Sequence, residues 1–174
     1  MADIPDTIVL KRDRDMEGRG KDLWIRRTLM FLIAALSIAA LANVFGQRPS
    51  TAHASAGAAS LSVSAPTSVR GGLLWQARFE ITAHQEVEDA ILVLGTGWID
   101  GNTVNTIEPS PVGEASDNGK LSLDLGHISA GRKYLLFMDF QTNPTTVGER
   151  SRTLALYDGK TRLLGIDQSV TVFP

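Results

Sequence analysis

Apolar and polar positions follow two different rhythms along this chain, and the change falls between residues 47 and 60. Residues 28–47, TLMFLIAALSIAALANVFGQ, form twenty consecutive positions without a charge. At about 1.5 Å of helical rise per residue, such a run crosses roughly 30 Å of hydrocarbon. From residue 61 onward, apolar side chains alternate with polar ones, the period of half-buried strands. Leu73, Trp75, Ala77, Phe79 and Ile81 interleave with Gln76, Arg78, Glu80 and Thr82, and Leu121, Leu123 and Leu125 interleave with Ser122 and Asp124. Residues 90–94 and 134–138 are apolar throughout, which predicts central strands covered on both faces. With residues 61–65, 153–157 and 163–173 this makes seven strands, or eight, and no helical period occurs over residues 60–174. Asn118-Gly119 and Asp158-Gly159 suit the positive φ angles of tight hairpins. The expected fold is an all-β antiparallel β-sandwich of the immunoglobulin-like kind, preceded by one N-terminal transmembrane α-helix.

Charge orients the helix. Residues 1–27 carry seven basic and six acidic side chains, residues 28–47 none, and residues 58–174 nine basic against thirteen acidic. Arg26 and Arg27 abut the start of the apolar run and only Arg48 follows its end, so the positive-inside rule places the N-terminus in the cytoplasm and exports the rest. Trp24 and Phe45 stand where interfacial anchors belong. The expected organisation is a disordered cytoplasmic tail over residues 1–22, a transmembrane helix over 23–47, a flexible Ala/Ser/Gly linker over 48–59 and an exported β-sandwich over 60–174. A cleaved signal peptide is the rival, since Ala52-His53-Ala54 reads as a cleavage site. The apolar run and its polar lead are both longer than a signal peptide uses. Within the helix, Ala35, Ala39, Ala42 and Gly46 recur on one stripe beside Asn43, a candidate face for packing on another membrane helix.

Composition removes whole classes of chemistry. The chain has no cysteine, which excludes disulfides, thiolate nucleophiles and cysteine-ligated zinc, and which fits a bacterial envelope better than an animal secretory route. The net charge of −2 offers no phosphate-binding surface, so no nucleic acid partner is expected. His84 and His127 fit no metal-ligand spacing and accompany no nucleophile motif, and the acidic turn of Glu86, Glu88 and Asp89 lacks the other oxygen ligands of a calcium loop. No catalytic residue, metal or cofactor is predicted.

The stretch from Leu121 to Gly131, LSLDLGHISAG, leads into the strand 133–140. It resembles the strand, crossing turn and strand of immunoglobulin-like and fibronectin-type modules in bacterial envelope proteins, with Ser129-Ala130-Gly131 where those modules have Pro-Gly. The resemblance implies the fold and no particular activity.

Function is expected where the pattern is least regular. Residues 95–119 are long for an idle loop and offer Trp98, Ile99, Asn102, Asn105, Glu108 and Glu114; residues 141–151 add Asn143, Glu149 and Arg150. Simple alternation of strands, with no extra strand inside 95–119, puts both excursions at one end of the sandwich, opposite the end that receives the linker, as a membrane-distal contact surface. In the competing reading Trp98 covers the end of the core and residues 103–107 form an edge strand. The expected role is that of a non-catalytic accessory or interaction subunit in the inner membrane, its partners membrane lipid and another membrane or envelope protein. A small-ligand binder or enzyme with a site in residues 95–119 is the alternative, and the sequence leaves the oligomeric state open.

Overall fold

A computed structural model describes residues 20–44 and 46–174. The chain divides into two compact units, Met1–Val44 and Phe45–Pro174. The expected tail lies outside the described residues up to residue 19, as does Phe45.

The first unit contains α1 (Gly20–Leu41), 22 residues long. Its stretch Lys21–Leu41 is long and apolar enough to cross a membrane. Ser37 spends its hydroxyl on the Ile33 carbonyl one turn back, at 2.8 Å. The helix stops six residues before the expected residue 47, for a local reason. Asn43 takes a left-handed conformation (φ 55), its N–H bonds the Ala40 carbonyl, and the Val44 N–H reaches back to Ala39. These are the paired bonds of a Schellman cap, with asparagine in the position glycine usually holds. Asn43 and Gly46, expected on the helix-packing stripe, therefore lie past the helix, and Ala42 falls in its cap; Ala35 and Ala39 remain on it.

The second unit is a sandwich. Its five-stranded sheet runs, in spatial order, β1 (Pro49–Ser55), β2 (Ala59–Pro66), β4 (Leu74–Ala83), β9 (Lys133–Thr142) and β6 (Asn102–Glu108). The six-stranded sheet runs β3 (Ser68–Arg70), β11 (Thr161–Phe173), β10 (Gly148–Asp158), β5 (Val87–Leu94), β8 (Lys120–Ile128) and β7 (Gly113–Asp117). Neighbours are antiparallel except β3, which runs parallel to β11. The Asn118-Gly119 turn has positive φ at both residues (51 and 74) and joins Asp117 to its partner Lys120, the predicted two-residue hairpin. The chain crosses between sheets from β8 to β9 at residues 129–132, where the immunoglobulin-like resemblance places its crossing turn.

Alternation sets the core. In β2 and β4 every second residue, from Leu61 and Val63 to Phe79 and Ile81, is buried between the sheets. Residues 90–94 and 134–138 differ from the expectation of two covered faces. Ala90, Leu92, Leu94, Leu136 and Met138 are buried, but Ile91 and Phe137 are only partly so and Leu135 is exposed, because a two-layer sandwich leaves the outer face of each sheet open. Eleven strands occur among the described residues in place of seven or eight. The expected spacer over 48–59 is a strand at Pro49–Ser55, paired with β2 from Pro49↔Pro66 to Ser55↔Ser60. Its alanines provide the reason: Ala52 and Ala54 pack against the core.

Candidate functional site

The two irregular excursions meet at one end of the sandwich. After β5 the chain makes a single helical turn, α2 (Thr96–Ile99), which lowers Trp98 into the core at 0% exposure. The turn fits only because Gly97 lies so close to the Ser151 carbonyl that a Cβ there would collide with it. Gly101 then reverses the chain with φ +75, beneath Thr146. Its carbonyl accepts from the Asn143 backbone N–H at 2.9 Å and from the Thr146 hydroxyl at 3.3 Å, tying the 95–102 segment to the 142–147 loop. Arg150 closes the contact with Nη1 at 2.6 Å from Asp100 Oδ2.

Behind this surface runs a buried relay. Trp75 Nε1 donates to Thr142 Oγ1 at 2.9 Å, that hydroxyl donates to Asn102 Oδ1 at 2.9 Å, and Asn102 Nδ2 donates to the Trp98 carbonyl at 3.2 Å. Four aromatic rings pack here: Trp75 stacks on Phe140 at 4.4 Å, and Trp98 meets Trp75, Phe79 and Phe140 at 5.4–6.1 Å. Into this cluster β10 inserts Arg152, 2% exposed, its guanidinium carbon 4.1 Å from the Trp75 ring and 5.0 Å from the Trp98 ring. Its Nη1 donates to the Pro66 carbonyl at 3.2 Å, while Nε, Nη2 and the Trp98 Nε1 have no partner among the described residues. Desolvation lowers the guanidinium pKa to about 9, and the ring faces offset part of the cost of burying the cation. Parity marks Arg152 in the sequence, because it shares a strand face with Leu154 and Leu156, but its residue type argues against burial, since arginine is rarely buried without a partner.

The expected contact residues thus separate. Trp98 is a core residue and offers no surface, and Asn102 is committed to the relay. Asn105 sits in the irregularity between Val104 and Thr106 on β6, and Glu108 lies farther along that strand opposite Phe137, away from the joined end. Asn143 and Glu149 are exposed at the joined end, with Arg150 partly so. That end is not opposite the chain's entry: Pro49, the first residue of β1, pairs with Pro66, whose carbonyl holds Arg152. β1, where a linker is expected, adds one strand before β2 and so brings the chain's entry to this end.

Two further features complete the inventory. Between the free edges of β6 and β7 an open cleft of about 400 Å³ has Ile99, Val104, Ile107 and Leu121 as its apolar lining and Asn105 and Glu114 among its polar groups. At the β8–β9 crossing, Glu86 accepts the Ala130 backbone N–H at 3.0 Å and faces His127 Nε2 at 2.5 Å. The Ala130 bond, then the His127 contact, hold the Glu86 carboxyl below its ordinary value. His127 is thereby a brace for the turn. Among the described residues no group of three or more histidine, aspartate or glutamate side chains is arranged to hold a metal.

No protein family model matches the chain, and no curated protein matches it in sequence. Solved structures that it is similar to include AvmM, which catalyzes macrocyclization in alchivemycin A biosynthesis (5% identity, TM-score 0.44, covering 74% of this chain and 90% of that one). They also include a non-cellulosomal cohesin from the hyperthermophilic archaeon Archaeoglobus fulgidus (13% identity, TM-score 0.41, 73% and 92% covered). A third is the CARDB domain of the PF1109 protein from Pyrococcus furiosus, in complex with di-metal ions (12% identity, TM-score 0.38, 72% and 94% covered). The second unit is an all-β sandwich of a five-stranded and a six-stranded sheet.

Proposed function

We propose that the chain is an uncleaved single-pass membrane protein whose exported sandwich serves as a non-catalytic accessory or interaction subunit of a membrane or envelope complex. The observation that carries the reading is α1: a helix of membrane-crossing length and composition, with Trp24 68% and Phe31 76% exposed. Such an apolar surface is stable in lipid. Its basic flank favours a cytoplasmic N-terminus. Retention of the anchor is supported by the place of Ala52-His53-Ala54 within β1, since a cut after Ala54 would strip six of that strand's seven residues from the sandwich.

The test uses the full chain in native membranes. Resistance to alkaline carbonate extraction, an intact N-terminus and protease access to the sandwich from outside only are the expected results; a mature chain starting near Ser55 and released from membranes overturns the anchor. Purification in mild detergent is then expected to bring down a membrane or envelope protein that is lost from the Asn143→Ala, Glu149→Ala double variant. Recovery of no partner, or equal recovery with the double variant, overturns the accessory role at this end. The cleft between β6 and β7 favours a second reading, a small-ligand site, because its volume lies in the range of such pockets. Glu114→Ala separates the two by abolishing ligand binding while leaving partner recovery intact.

A further inference from the structure

The four sheet edges are not equally defended. β6 carries a register irregularity at Asn105 and runs into Glu108 and Pro109; β7 is five residues long and holds Glu114 and Asp117; β3 is three residues long and ends on Arg70. Bulges, charges, proline and shortness are the devices by which strand edges avoid pairing with other chains. β1 has a proline only at its first residue: seven residues, PSTAHAS, in unbroken register with β2, none of them acidic, lysine or arginine.

The hydrogen-bond phase of β1 shows what it offers. Ala56 N–H bonds the Ala59 carbonyl at 2.8 Å, which makes 56/59, and by alternation 54/61, 52/63 and 50/65, the pairs bonded to β2. The N–H and C=O groups of Thr51, His53 and Ser55 therefore point away from the sheet, and no described strand pairs with them. Their side chains are exposed on the outer face, while Ala52 and Ala54 face the core.

We infer that β1 pairs antiparallel with β1 of a second copy of this chain, centred on His53, joining two five-stranded sheets into one. In this register Thr51 faces Ser55 of the other copy and His53 faces His53, so no carboxylate, lysine or arginine within the strands is opposed by a like charge. Apart from His53 and Pro49 the side chains of the strand are small, Ser, Thr and Ala. The extent of the edge argues for this occupant: a single strand edge presents less surface than the roughly 1,200 Å² of a stable solution complex, so it suits a copy held in the same membrane at high effective concentration. The inference needs the anchor but stands apart from the accessory-subunit reading, whose partner test it does not share.

The native chain has no cysteine, so single cysteines can report register. In membranes containing the full-length protein, His53→Cys is expected to give a disulfide-linked dimer under mild oxidation, because facing Cα atoms of a bonded pair lie about 5.5 Å apart. Thr51→Cys alone and Ser55→Cys alone are expected not to, yet to cross-link to each other when co-expressed; this pair tests the register even where the His53 variant fails to fold. Adding Thr51→Pro, which removes an outward N–H without touching a bond to β2, is expected to abolish the His53→Cys dimer. Equal cross-linking at all three positions, no dimer from His53→Cys or the co-expressed pair, or a dimer insensitive to Thr51→Pro overturns the inference.

Discussion

Arg152 is the buried cation of the joined end, 2% exposed on β10. A cation with no carboxylate beside it among the described residues is buried against two indoles, and burial lowers its pKa to about 9. A base whose pKa is lowered on folding leaves the unfolded chain holding more protons above that value, so stability rises with pH there and the burial opposes folding at neutrality. Arg152→Met, similar in volume and uncharged, is expected to match or exceed the native melting temperature at pH 7 and to lack the alkaline gain; calorimetry from pH 7 to pH 10 checks both. Arg152→Ala leaves a hole and is expected to cost about 2–4 kcal/mol. Trp98→Ala is expected to cost about 3–5 kcal/mol in the same measurement, through the core rather than through any contact surface. Glu86 has the same slope with pH but favours folding at neutrality, where Arg152 opposes it. Its carboxyl is held below the ordinary 4.5 by the Ala130 N–H and then by His127, so its contribution is present above that value and is lost as pH falls. The melting temperatures of the native chain and Glu86→Ala are expected to differ at pH 7 and to converge on acidification.

Among elements, the division between what the pattern foretold and what it missed follows position in the sheets. The seven predicted strands are β2, β4, β5, β8, β9, β10 and β11, each with neighbours on both sides. The other four, β1, β3, β6 and β7, are the four edges, and of these only β6 is expected, as residues 103–107 in the competing reading. An interior strand alternates because one face meets the core along its whole length; β7 reads partly buried then exposed at every later residue, and β1 has only alanines to bury. Edge strands are held by backbone bonds to one neighbour, which leave no mark in side-chain hydropathy. The same weakness bounds their energetics. Deleting residues 49–54 removes two partly buried alanines and one ladder, and is expected to cost about 1–2 kcal/mol, read as a lowered denaturant midpoint with the sandwich still folded. The helix shows a matching limit, since its apolar run continues to residue 47 but the Asn43 cap stops it at Leu41.

The whole molecule joins a helix stabilised by local bonds to a sandwich stabilised by distant ones. Most sandwich contacts link residues far apart in sequence, and such topologies fold in milliseconds to seconds. Refolding followed by the buried Trp75 and Trp98 is expected in that range. The membrane-length helix, the all-β class, the interior strands and both hairpin turns follow from the sequence alone, because hydrophobic period and turn chemistry act over a few residues and appear directly in residue type. The relay through Trp75, Thr142, Asn102 and Trp98, the burial of Arg152, and the end at which the chain enters needed the tertiary structure. Residues 75 and 142, or 66 and 152, meet only after the sheets have stacked, and no local period encodes a contact across the core.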